Sequence, residues 1–203
     1  MNLTIPRSAT VGLIGRNGSG KSTLLKIISR ILYPTRGEVK VNGRVSTLLE
    51  LGAGFHPDFT GRENIFLNAS ILGLTRREIK ERLDDIIAFS ELGDFINNPV
   101  RTYSSGMYMR LGFAVAVHVD PEILLVDEVL AVGDIPYQEK CLNRIRELQK
   151  RGVTIVFVTH NPKQVEELCD LAIWLDRGEV RFAGPAKETV RAYAAFVNTA
   201  ATG

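Results

Sequence analysis

Gly15-Arg16-Asn17-Gly18-Ser19-Gly20-Lys21-Ser22 fits the pattern GxxxxGK[ST] at every fixed position. Glycines at this spacing let backbone N–H groups close around phosphate oxygens. A helix starting beside them adds its positive N-terminal potential. Lys21 is then placed to reach the β- and γ-phosphates of a nucleotide, and Ser22 to set its hydroxyl on Mg²⁺, with Thr23 continuing the turn. Farther on, the apolar run Ile123-Leu124-Leu125-Val126 ends in Asp127, a carboxylate able to hold Mg²⁺ through water. Glu128 follows and points to the other side if strand geometry continues. A carboxylate there can polarise a water for in-line attack on the γ-phosphate. His160 closes another apolar run, Val153 to Thr159. It either faces the crevice at the carboxyl edge of an α/β sheet, where ligands bind, or is a hydrogen-bonded rim histidine. His56 and His118 have no such placement and read as structural or surface residues.

A second stretch raises a separate question. Tyr103-Ser104-Ser105-Gly106-Met107 reads YSSGM, and an apolar, helix-like segment follows at once. A small polar loop at a helix start suits an anion. A plain helix cap is the competing reading.

The elements that must position these residues follow from the patterning. Val11-Gly12-Leu13-Ile14 reads as a buried strand and Thr23–Leu32 as a helix. Glu38–Leu51 predicts two short strands around an Asn42-Gly43 hairpin turn. Gly52–Gly61 is loop-like, and Arg62 onward is helical. Thr75 to Phe89 is amphipathic, with Thr75 and Glu78 forming a capping-box pattern. Ile123–Val126 and Val153–Val158 have the composition of buried parallel strands, with a helix over Tyr137–Arg151 between them. Two strands flank Arg177-Gly178, and a helix covers Thr189–Val197. Strands alternating with helices predict an α/β fold with a parallel sheet, interrupted by an inserted helical subdomain.

The 203 residues are 45% hydrophobic and 24% charged, an ordinary globular composition that can bury one sizeable core. A net charge of +2 makes no electrostatic case for nucleic acid. Cys141 and Cys169 lack metal-ligand spacing, and a reduced, cytosolic compartment fits. The N-terminus lacks the pattern of a signal peptide. The longest apolar runs, such as Leu111 to Val119, are too short to cross a bilayer. Direct membrane insertion is not expected.

Phosphate loop, YSSGM, Asp127-Glu128, Ala131-Val132-Gly133-Asp134 and His160 stand in an order that resembles the ATP-binding subunits of ATP-binding cassette (ABC) transporters. The resemblance covers nearly the whole chain. It implies a P-loop NTPase with a RecA-like lobe at about 1–65 and 120–203 and a helical subdomain at about 66–119. It implies ATP and Mg²⁺ as cofactors, with Lys21, Glu128 and His160 catalytic and Ser22 and Asp127 on the metal. YSSGM takes the place of the family's signature: Tyr103 replaces leucine, Ser105 a glycine and Met107 glutamine, while Ser104 and Gly106 are kept. Arg110 falls where a basic residue usually follows. In the family the signature serves the partner subunit's nucleotide, so the resemblance answers why one chain carries two phosphate-binding loops. A homodimer with ATP sandwiched between chains is implied, with Asp134 at its seam.

The family usually has a glutamine entering the loop after Leu49, on Mg²⁺ and the attacking water. Glu50 or Leu51 stands near that place, and Glu50 is a candidate for the metal shell. The combination LLELGAGFHPDFTGREN, YSSGM and DEVLAVGD resembles the branch that exports O-antigen, capsular polysaccharide or teichoic acid. The resemblance implies a separate membrane permease and a place at the cytoplasmic face of the plasma membrane. The family's N-terminal strand and adenine-stacking aromatic are expected to be missing, since no aromatic residue precedes Gly15. Weak ATP binding by this chain alone is expected. So is the lack of a carbohydrate-binding domain after the ATPase. Among rivals, a P-loop kinase is disfavoured by YSSGM, Glu128 and His160. A chromosome-type cassette would need coiled coils that the Lys21–Ser104 interval cannot hold, and ribosome-acting cassettes usually carry two per chain. An import subunit is disfavoured by the missing loop glutamine and the TGREN stretch.

Overall fold

The computed structural model describes residues 1–127, 133–159 and 161–201. Glu128, His160 and the Ala131-Val132 part of the AVGD stretch lie outside the described residues. In chain order the elements are β1 (Thr10–Ile14), α1 (Lys21–Ile28), β2 (Val45–Thr47), α2 (Gly61–Ile71), α3 (Arg76–Ser90) and α4 (Ser105–His118). They continue with β3 (Ile123–Asp127), α5 (Ile135–Lys150), β4 (Thr154–Val158), α6 (Pro162–Leu168), β5 (Leu171–Asp176), β6 (Glu179–Pro185) and α7 (Ala186–Ala201).

The chain divides into two compact units. The first takes in the described residues of Met1–Asn42, Ile123–Glu128 and Leu148–Gly203, and the second those of Gly43–Glu122 and Val129–Glu147. The second unit is wider than the helical span read from the sequence: it adds β2, the loop before α2 and most of α5.

The sheet of the first unit runs β3-β4-β1-β5-β6. β3, β4, β1 and β5 are parallel, with Leu13 of β1 and Asp127 of β3 both in register with Val158 of β4. Every residue of β1 and β4 is buried, which is why these strands read as unbroken apolar runs without alternation. Gly12 has a packing reason. A Cβ there would lie 2.6 Å from Val165 Cγ1, so glycine lets α6 sit directly on β1. β6 turns back antiparallel to β5 through Arg177 (φ 51°) and Gly178 (φ 80°), a pair of positive φ angles that matches strand twist. Val190 and Ala186 of α7 pack with Ile14, Val165 and Ala172, and Trp174 meets the rings of Tyr193 and Phe196.

In the second unit α2, α3 and α4 enclose a core of Ile65, Ile79, Ile86, Leu111 and Val115, all fully buried. Both α2 and α3 start with capping boxes, Thr60 with Glu63 and Thr75 with Glu78. The hydrogen bonds from the Thr75 hydroxyl and amide hold the Glu78 carboxyl below the usual carboxylate range. Thr75→Ala leaves an N-terminal amide of α3 without its side-chain acceptor. It is expected to lower stability by about 1 kcal/mol, read as a lower urea midpoint with an unchanged slope.

The hairpin expected at Asn42-Gly43 does not form. The structure has a strand over Val45–Thr47, and residues 38–42 are irregular. The backbone here finds other partners. The Arg44 amide donates to Glu122 Oε2 at 2.8 Å, and the Glu122 amide donates to the Arg44 carbonyl at 2.9 Å. A long-range carboxylate thus replaces the hairpin ladder that the local turn signal suggested.

Candidate nucleotide-binding site

β1 ends at Ile14 and the chain turns sharply through Gly15, whose φ is 148°. A Cβ at Gly15 would lie 2.2 Å from the Leu175 carbonyl oxygen and 2.7 Å from Ser19 Oγ. The loop then runs through Gly18 and Gly20, with φ of 78° and 102°. Gly20 is the N-cap of α1 and supplies no side-chain acceptor, so the first amides of α1 have no capping oxygen from that residue. Ser19 is buried, and its Oγ has no hydrogen-bond partner. Around Gly18 there is open space where a side chain would stand. Together these features fit phosphate oxygens: a helix start without a side-chain cap, an orphaned buried hydroxyl and room beside the backbone.

Lys21 is 6% exposed. Its Nζ donates to the Gly15 carbonyl at 2.7 Å and the Arg16 carbonyl at 3.1 Å, so the ammonium is held inside the curve of the loop. A buried ammonium needs such acceptors, and they fix its position before any phosphate is bound. The loop is braced in two ways. The Ser19 amide donates to the Arg16 carbonyl at 3.1 Å, and the Gly178 amide donates to the Ser19 carbonyl at 2.9 Å. The Arg177-Gly178 turn thus supports the phosphate loop, although the sequence marked it only as a strand turn.

Gly15→Ala forces a Cβ onto a backbone carbonyl and strains φ. It is expected to destabilise by roughly 3 kcal/mol and to abolish nucleotide binding. Thermal unfolding and fluorescent-nucleotide titration check the two effects. Gly18→Ala, with strained φ but open space, should be milder in stability.

Ser22 is exposed in the first turn of α1, and Asp127 is half-buried at the carboxyl end of β3. β4 separates β3 from β1, so Asp127 and the start of the loop sit on strands about 10 Å apart. One hydroxyl and one carboxylate suit Mg²⁺, which keeps waters and takes phosphate oxygens for its remaining positions. No group of three His, Cys, Asp or Glu side chains that could hold a metal occurs among the described residues. Beside His160, Thr159 is buried; its Oγ1 donates to Gln164 Oε1 at 2.8 Å and accepts from the Asn161 amide at 3.1 Å.

The remaining candidates belong to the second unit. Glu50 is exposed, and its carbonyl accepts from the Ala53 amide at 2.9 Å. The turn it opens is fastened to α4: the Tyr108 hydroxyl donates to the Gly52 carbonyl at 2.9 Å, and a Cβ at Gly112 would come within 2.6 Å of the Gly52 nitrogen. The following loop is built on Asn64, fully buried. Its side-chain oxygen accepts from the His56 amide at 2.7 Å, and its side-chain NH₂ donates to the carbonyls of His56, Phe59 and Thr60 at 3.0 Å.

Ser104 caps α4, accepting from the Met107 amide at 3.2 Å. Ser104 and Ser105 are exposed, and a Cβ at Gly106 would meet only Ser104 Oγ, at 3.9 Å, so the backbone here is open to a large anion. Tyr103 and Met107 point elsewhere in part. Both pack against the core of α2–α4, and the Tyr103 hydroxyl donates to the Phe95 carbonyl at 2.7 Å. Asp134 Oδ1 accepts from Arg110 at 2.9 Å. The sequence had marked Arg110 by position but not this bond.

A glycine loop wrapped on a buried lysine, at the carboxyl end of a central parallel strand and followed by an uncapped helix, defines a P-loop nucleotide-binding fold. The chain belongs to the ABC transporter family, whose model matches residues 1–131. It is similar to the O-antigen export system ATP-binding protein RfbB of Myxococcus xanthus, at 60% identity over 98% of this chain and 46% of that protein. The RfbB protein of Klebsiella pneumoniae is 52% identical over 95% of this chain and 78% of its own length. The teichoic acids export ATP-binding protein TagH of Listeria innocua is 50% identical over 93% of this chain and 56% of its own length. The chain thus spans about half the length of the first and third of these relatives. Among solved structures, a dimeric ATP-binding cassette in a post-hydrolysis state bound to ADP and Pi superposes with a TM-score of 0.75 and 26% identity, over 91% of this chain and 88% of that one. No described helix is long and apolar enough to cross a membrane.

Proposed function

We propose that this chain binds and hydrolyses ATP as the ATP-binding subunit of a transporter that exports a lipid-linked cell-surface polysaccharide through a separate membrane permease. The observation that carries the ATPase reading is the lysine cradle of the phosphate loop beside an uncapped helix start and the orphaned Ser19 hydroxyl. The substrate class rests on the export proteins to which the chain is similar over nearly its whole length.

In this reading Lys21 and the α1 amides hold the β- and γ-phosphates. Ser22 and Asp127 would hold Mg²⁺, whose charge would neutralise the phosphate oxygens, and Glu50 is a candidate for its outer shell. Glu128 accepts the proton of the attacking water, and His160 contacts the γ-phosphate. Ser104 and Gly106, with Tyr103, Ser105 and Met107 shaping the loop, serve the nucleotide of a second copy, and Asp134 lies at the seam. ATP therefore favours a closed dimer, and loss of the γ-phosphate favours the open one. The permease reads that change at the cytoplasmic face of the membrane.

Two readouts test this. Purified protein should release phosphate from Mg-ATP. Expressed in a strain that lacks its own exporter ATPase but keeps the permease, it should restore surface polysaccharide. Turnover without restoration on any polysaccharide permease would remove the export assignment and leave the ATPase.

A further inference from the structure

Arg110 sits where three helices of the second unit meet. It lies in the second turn of α4, the helix that Ser104 caps, and its side chain is 22% exposed. Its guanidinium donates to Asp134 Oδ1 at 2.9 Å, just before α5, and to Glu91 Oε2 at 3.3 Å, at the end of α3. The same group lies 4.5 Å over the centre of the Tyr137 ring, and the buried Tyr137 returns its hydroxyl to the Arg110 carbonyl at 3.2 Å. Lys140 completes the cluster, donating to Glu91 Oε1 at 2.7 Å and to the Phe89 carbonyl at 3.1 Å.

Two backbone features are shaped to this cluster. Gly133 has φ 74°, and a Cβ there would stand 3.1 Å from Arg110 Nε and 3.3 Å from a terminal guanidinium nitrogen. Any larger residue would press against the arginine. Glu91, the C-cap of α3, holds a left-handed conformation at φ 56°, uncommon for a non-glycine residue, and places its carboxylate between Arg110 and Lys140. A planar guanidinium serves two carboxylates through its fixed fork of donors while its flat face lies on a ring; an ammonium is a compact point charge without that fork.

We propose that Arg110 is a positioning residue that fastens the Gly133-Asp134 turn to the serine-capped helix α4, so that one rigid surface presents both to a second copy's nucleotide. The inference rests on the ATP-sandwich reading above. If Ser104 and Gly106 contact the second copy's γ-phosphate while Asp134 lies at the seam, their relative placement must hold to a fraction of an ångström. Arg110 touches no reacting atom in this arrangement. It acts through Asp134.

The test compares the full chain with Arg110→Gln, Arg110→Lys, Asp134→Asn and the Gln/Asn double variant. Fluorescent-nucleotide affinity is measured in dilute, monomeric protein, and kcat and KM for Mg-ATP under turnover. Arg110→Gln should leave monomer affinity within about twofold and cut kcat roughly tenfold to a hundredfold. Arg110→Lys should recover only part of it. The double variant should be no slower than the worse single one, because both changes remove one interaction. Independent, multiplying losses would overturn the proposal, as would an unchanged kcat in Arg110→Gln. A loss of nucleotide affinity matching the loss of kcat would show a general structural role and overturn it too. If the wild-type chain neither hydrolyses Mg-ATP nor dimerises with it, the sandwich reading fails and this inference falls with it. Wild-type turnover with an unaffected Arg110→Gln sinks the inference alone.

Discussion

Lys21→Ala should abolish ATP turnover. The Lys21 Nζ is the charged group inside the phosphate loop, held by the Gly15 and Arg16 carbonyls. Alanine removes a cation that would meet charge developing on the γ-phosphate, where one preorganised electrostatic contact is worth about a hundredfold to a thousandfold in rate. It also takes the lysine donor from the Gly15 carbonyl and leaves the Arg16 carbonyl with the Ser19 amide, which a bound polyanion makes worse. Lys21→Arg should not rescue. The guanidinium keeps the charge but is too broad and planar for a cradle whose acceptors converge on one point. Phosphate release at saturating Mg-ATP measures the effect. Wild-type turnover in Lys21→Ala would remove the loop from the chemistry altogether.

Glu128→Gln should also stop turnover while doing the opposite to assembly. Glutamine keeps the size of glutamate but cannot accept the proton of the attacking water. Loss of a general base costs about a hundredfold to ten-thousandfold. In the proposed sandwich ATP then persists, and with it the contacts that would bridge two copies through Ser104 and Gly106. Light scattering should show monomer without nucleotide and dimer with Mg-ATP. Adding Lys21→Ala to the same protein should return it to monomer, because the γ-phosphate is no longer held. Monomer at saturating Mg-ATP in Glu128→Gln would overturn the sandwich. Glu128 lies outside the described residues, so its role stands on its place after β3 and on this experiment.

Much of the first unit was legible in the sequence because its signals are local. The GxxxxGKS motif fits its strand-loop-helix context, Asp127 ends β3 as expected, and β1, β3 and β4 coincide closely with the apolar runs. In the second unit Thr75 and Glu78 likewise form the capping box their spacing predicted. A strand buried on both faces or a capped helix carries its reason in a few adjacent residues. The Asn42-Gly43 hairpin failed for the complementary reason. A good turn dipeptide is only a local preference, and Glu122, far along the chain, supplies the partners that the backbone around Arg44 takes instead.

The sequence by itself determined the chemistry available: a phosphate loop with its lysine, a carboxylate pair after a strand, and a second serine-glycine loop at a helix start. Residue type and spacing suffice there, because each motif is written in a few adjacent residues. Only the tertiary structure decided what holds those motifs still. It placed the Arg177-Gly178 turn under the phosphate loop, Asn64 beneath the loop that follows Glu50, and Arg110 between Asp134 and Glu91. The first and last of these are hydrogen bonds and ion pairs between residues distant in the chain, and the Asn64 bonds gather one loop around a buried side chain. They have no periodicity and no motif, and they exist only once the sheet and helices have brought their partners together.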